Sequence, residues 1–127
     1  MRAVVQRVCS ASVSVEEKTV SEIGRGLLVL VSFGPDDQRA DLDYMASKVV
    51  DLRIFEDDEG KMNLSVRDVG GSILLVPNFT LHADCRRGRR PSFSDAAAPE
   101  QAAALFEVFT GLVAETGVPV ATGVFGA

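Results

Sequence analysis

The chain has no tryptophan, one tyrosine, one histidine and two cysteines among its 127 residues. A single histidine leaves no second imidazole for a His-based metal site. Cys9 and Cys85 are too far apart for a Cys-x-x-Cys unit, which argues against a thiolate zinc site and a disulfide scaffold. The apolar run from Gly26 to Phe33 falls far short of the ~20 residues needed to cross a bilayer. Met1-Arg2 leads directly into alternating residues, with no signal-like apolar block. No membrane partner and a reducing, cytoplasmic setting are expected. Basic residues are in deficit: 13 Lys and Arg against 18 Asp and Glu give a net charge of −5. A nucleic-acid backbone therefore repels the molecule as a whole, and any such contact has to be local. Long linkers, internal repeats and low-complexity tracts are absent, so residues 1–127 read as one domain.

What is present is a succession of short periodic segments. Ala3 to Val8 and Ser10 to Val15 alternate apolar with small polar residues, the period of half-buried strands, and Glu16-Glu17-Lys18 turns the chain toward a partner strand at Val20 to Ile23. Leu27 to Phe33 is continuously apolar, as a central strand covered on both faces would be. Leu42, Met45, Ala46, Val49 and Val50 recur at helical spacing within a helix expected from about Gln38 to Leu52. A hairpin is expected from Arg53–Glu56 to Met62–Val66 across Asp57-Asp58-Glu59-Gly60. Ser72 to Val76 reads as another buried strand ended by Pro77, followed by a polar loop to Ala98. From Pro99, the residues Ala102, Leu105, Phe106, Phe109, Leu112 and Val113 trace a helical stripe ending before Gly117. Val118 to Thr122 reads as a last, edge-type strand. Together these predict an α+β domain with a mainly antiparallel sheet and two amphipathic helices.

The usual signatures of catalysis are missing: no Gly-x-Gly-x-x-Gly, P-loop, His-Glu-x-x-His or Gly-x-Ser-x-Gly. His82 reads as a surface or satisfied structural residue, and Cys9, in an alternating strand, as a buried spectator. Two segments remain. Arg86-Arg87-Gly88-Arg89-Arg90 places four of the thirteen basic residues within five positions, and guanidinium groups bind phosphate through paired hydrogen bonds. Phe93 follows and can stack on a base, although a merely solvated basic loop is an equal reading of this segment. At Val76-Pro77-Asn78-Phe79-Thr80-Leu81 a buried strand stops, and N–H groups freed there can converge on one acceptor, which makes an oxyanion hole without any ionisable side chain. The plain alternative is a strand end with a Pro/Asn turn.

At these residues the chain resembles the D-aminoacyl-tRNA deacylase (D-tyrosyl-tRNA deacylase) family. The likeness runs through Met1 to Val8 with Ala11-Ser12-Val13, Ile23 to Leu30, Arg53-Ile54-Phe55, Gly60 to Leu64, Gly70-Gly71-Ser72, Asn78 to Leu81, Gly88 to Ser94 and Thr122 to Phe125. It implies a sheet that is partly closed and barrel-like. It also implies a cytoplasmic homodimer that hydrolyses the ester between a D-amino acid, or glycine, and the terminal adenosine of tRNA, without metal or cofactor and without DNA as a partner. Asn78, Phe79 and Thr80 would contact the aminoacylated tRNA 3′ end, with the Phe79 and Thr80 amides holding the oxyanion. Arg7, Arg86, Arg87, Arg89, Arg90, Ser92 and Phe93 would bind substrate. The family's Ser-Gln pair stands here as Pro77-Asn78, one methylene shorter at the second position. Its Gly-cis-Pro segment, which rejects L-amino acids in the partner's pocket and is held by the arginine matching Arg7, falls past Ala127. The chain is C-terminally short against that pattern, which implies weakened activity or lost chiral discrimination. A tRNA-end-binding pseudoenzyme is the alternative, and a hydrolase using Cys85 a third.

Overall fold

The computed structural model describes residues 1–82, 86, 89, 92 and 95–124. Strand β1 (Arg2–Val8) pairs antiparallel with β4 (Gly26–Ser32), Arg2 opposite Ser32 and Arg7 opposite Leu27. Between them, β2 (Ala11–Val15) and β3 (Lys18–Ile23) form a hairpin on Glu16-Glu17, both with positive φ (50° and 66°). Helix α1 (Arg39–Asp51) follows, its start held by the Gln38 amide donating to Asp41 Oδ2 at 2.8 Å. The small hairpin β5 (Phe55–Glu56) and β6 (Met62–Leu64) leads to β7 (Ser72–Pro77), a 3-10 turn at Phe79–His82, helix α2 (Pro99–Glu115) and β8 (Val120–Thr122).

The main sheet has the order β1-β4-β7-β8. It is open and mixed, where a mainly antiparallel, partly closed barrel was expected. β4 pairs parallel with β7, and β7 with β8, because the connections through α1 and through α2 carry the chain back to the end from which it started. The helix and strand periodicities are realised: α1 buries Leu42, Ala46, Val49 and Val50, and α2 buries Ala102, Phe106, Phe109 and Val113. These meet Leu27, Val29, Val31, Ile73 and Leu75 from the two central strands. Phe33 and Phe109 close the core edge-to-face, with ring centroids 6.4 Å apart. On the opposite face, β3 lies against β7 and β8, and the Ser21 hydroxyl donates to the Thr122 carbonyl.

One close approach dictates a residue. At Gly26 a Cβ would stand 1.8 Å from the Ser72 carbonyl oxygen, so β4 and β7 can pair there only without a side chain. Pro77 is tolerated inside β7 because β8 runs alongside only as far as Leu75. Cys9, expected buried, is exposed, since the alternation breaks in the bend between β1 and β2. Cys85 lies outside the described residues. No helix among the described residues is long and apolar enough to cross a membrane.

Candidate functional site

The C-terminal end of β7 stops beside a cavity of about 430 Å³, lined by Val31, Phe33, Val76, Asn78, Phe79 and Ala97 among others. The lining is mostly apolar, with Ser32 among it, and comes from the end of β4, β7, the 3-10 turn and the residues leading into α2. Phe79 stands 60% exposed. At this point the chain leaves the sheet by donating the Asn78 amide to the Val31 carbonyl at 2.7 Å, the last sheet-like bond before the turn.

Asn78 then reaches forward. Its Oδ1 accepts the Thr80 amide at 3.1 Å and also the Thr80 hydroxyl, while its carbonyl accepts the Leu81 amide at 3.3 Å. This is the local geometry that a short Asx side chain favours two residues ahead of itself. The Thr80 amide, which the sequence offers as an oxyanion donor, is thus held by a neighbouring side chain, and serving a substrate requires Asn78 to let go.

The turn is braced from behind. Arg2 Nη1 donates to the Leu81 carbonyl at 2.7 Å. His82 is buried, 5% exposed, and its Nδ1 is hydrogen-bonded to the equally buried Ser32 hydroxyl. Burial, then the positive charges of Arg2 and the Met1 ammonium, push the His82 pKa below its ordinary 6.5, with Asp37 and Asp95 opposing. Nearby, the Met1 ammonium is paired with Asp37 Oδ1 at 2.7 Å in a partly buried setting, and Asp37 Oδ2 accepts the Gly34 amide at 2.7 Å. His82 is the satisfied structural histidine that the sequence suggests. Its partner Ser32, 50 residues away along the chain, carried no signal.

Asn78, Phe79 and Thr80 are therefore brought together, but Arg7 is not with them. The β1–β4–β7 register puts Arg7 beside Leu27 and Ile73, whereas Pro77 lies beside Val31, about 13 Å along the strand by the usual rise per residue. There the exposed Arg7 donates from Nη1 to the Ile54 carbonyl at 2.9 Å. It lines a second cavity of about 420 Å³ with Cys9, Arg25, Phe55 and Glu56, in which the Arg25 guanidinium sits 5.4 Å from the centre of the Phe55 ring. Arg86, Arg89 and Ser92 are exposed. Arg87, Arg90 and Phe93 lie outside the described residues.

Comparison with known proteins follows the same contours. Residues 4–127 match the sequence profile of the D-Tyr-tRNA(Tyr) deacylase family. The D-aminoacyl-tRNA deacylase of Thermotoga petrophila is 58% identical over 127 residues, covering the whole of this chain and 85% of that protein. That of Clostridioides difficile is 54% identical with the same coverage. Among solved structures, the c-Myc DNA unwinding element binding protein superposes with a TM-score of 0.95 at 40% identity, over 100% of this chain and 87% of that one. A probable eukaryotic D-amino acid tRNA deacylase shares the fold, with a TM-score of 0.80 at 22% identity over 98% and 88% of the two chains.

Proposed function

The chain belongs to the D-Tyr-tRNA(Tyr) deacylase family, a hydrolase by that membership, and from this premise we propose that it cuts the ester of D-aminoacyl-tRNA, and of glycyl-tRNA, at the end of β7. The observation that carries the reading is the mostly apolar cavity that Asn78 and Phe79 line where β7 ends in the 3-10 turn. The terminal adenosine enters the cavity, and Phe79 stacks on its base. Water attacks the aminoacyl carbonyl carbon. The carbonyl oxygen takes the negative charge against the amides of Phe79 and Thr80, once Asn78 Oδ1 has withdrawn from Thr80. The bond to the ribose oxygen then breaks, and that oxygen leaves with a proton, assisted by the neighbouring 2′-hydroxyl. Arg86, Arg87, Arg89 and Arg90 neutralise tRNA phosphates with Ser92 and Phe93 beside them, a local basic site on an acidic molecule. Arg7, at the far end of the sheet, serves through a second copy in a cytoplasmic homodimer. No cofactor or metal is used.

Incubation with labelled D-Tyr-tRNA and L-Tyr-tRNA tests this directly. Release of D-tyrosine well above the spontaneous rate is expected, and release at the spontaneous rate contradicts it. One observation favours a second reading: the Thr80 amide is held by Asn78 rather than presented to a ligand. A pseudoenzyme that binds the tRNA 3′ end without cutting it would give a gel shift and no turnover.

A further inference from the structure

We propose that His82 is a positioning residue for the turn carrying Asn78, Phe79 and Thr80, which it latches to the central strand through its buried hydrogen bond to Ser32. The inference rests on the deacylase reading for its effect on rate, but the latch itself is a matter of geometry.

Two consecutive residues of β4 grip the two ends of residues 78–82. Val31 accepts the Asn78 amide at 2.7 Å as the chain leaves β7, and Ser32 bonds to His82 where the 3-10 turn ends. Ser32 also lines the cavity beside Asn78 and Phe79, so the same residue joins the cavity wall to the turn. Both members are buried, Ser32 at 3% and His82 at 5% exposure, so neither can exchange its partner for water without opening the structure. Arg2, donating to the Leu81 carbonyl, adds a third hold on the outer side. Phe79, between these anchors, projects outward.

The Ser32 hydroxyl can donate to a bare Nδ1 or accept from a protonated one, so the latch holds in either tautomer of the ring. The charged groups around it are Arg2 and the Met1 ammonium from β1, Asp37 from the turn after β4, and Asp95 ahead of α2. Burial and the cations outweigh the two carboxylates and favour the neutral ring.

The test uses the full chain and compares Ser32→Ala, His82→Leu and His82→Asn. An asparagine carries an oxygen close to the place of Nδ1, so it can keep the Ser32 bond, whereas leucine cannot. With D-Tyr-tRNA, His82→Leu and Ser32→Ala are expected to lower kcat about tenfold or more with KM shifted less than about twofold, and His82→Asn to stay within about threefold of the parent. The double variant Ser32→Ala with His82→Leu is expected to be no worse than the poorer single variant, because both remove one bond. A readout independent of activity is amide hydrogen exchange by mass spectrometry. Residues 78–82 should exchange faster in His82→Leu and Ser32→Ala while residues 73–75 of β7 stay protected. Unchanged exchange at 78–82 in both variants overturns the latch, as does an equal loss of kcat in His82→Asn and His82→Leu. Should the parent release no D-tyrosine, the deacylase reading fails and the exchange measurement alone decides the latch.

Discussion

Asn78 shows how much one methylene can decide. Its short side chain reaches Oδ1 forward to the Thr80 amide and hydroxyl, and so shields a donor that the proposed reaction needs. Glutamine, one methylene longer, fits that local ring poorly. Undoing the Asn78 bond costs about 0.5–1.5 kcal/mol, the net worth of an ordinary hydrogen bond, which corresponds to a factor of up to about ten in rate. Asn78→Gln is therefore expected to raise kcat on D-Tyr-tRNA by up to about tenfold, and steady-state deacylation kinetics check it. An unchanged or lower kcat would mean that the Thr80 amide plays no part. Much of this was legible in the sequence: Asn78, two residues before a threonine and directly after a proline, announces a turn at a strand end. The Ser32–His82 pair was not legible, because nothing local to either residue signals a partner 50 positions away.

Among the elements, the strands and helices follow from periodicity and the sheet does not. Continuous apolarity from Leu27 to Val31 marks a strand covered on both faces, and the spacing of Ala102, Phe106, Phe109 and Val113 marks a helix with one buried stripe. Periodicity says which face is buried but not which strand lies alongside. The parallel pairings of β4 with β7 and of β7 with β8 come from the helical connections, and among the described residues no pairing joins β1 to β8 to close the sheet. The 3-10 turn at Phe79–His82 is too short to show any period at all. Glycine placement carries the clearest consequence at this scale. Gly26→Ala forces a methyl group against the Ser72 carbonyl, where backbone meets backbone and no rotamer can yield. The β4–β7 pairing should then separate locally, with a loss of about 3 kcal/mol or more in urea unfolding. A loss below about 1 kcal/mol would show that the two strands can shift apart at little cost.

At the scale of the molecule, charge is arranged against the overall balance. An acidic chain concentrates arginines between residues 86 and 90, and it holds a partly buried cation, the Met1 ammonium, against Asp37. Asp37→Asn removes the partner of this partly buried ammonium and should cost about 1–3 kcal/mol in thermal or urea unfolding. A variant within about 1 kcal/mol of the parent would show that water reaches this ammonium. The register also separates Arg7 from Asn78 by most of a strand, so a role for Arg7 in the same reaction calls for two copies of the chain.

The central claim is that backbone amides where β7 ends receive the carbonyl oxygen of a D-aminoacyl ester. An amide-resolved NMR titration of the full chain with a non-hydrolysable D-tyrosyl-adenosine analogue, joined by an amide in place of the ester, tests it most directly. The Phe79 and Thr80 amide signals are predicted to move downfield and saturate together with those of the cavity residues Ala97 and Ala102. If these four signals stay in place while the analogue binds, with the shifts mapping elsewhere on the chain, the account is contradicted.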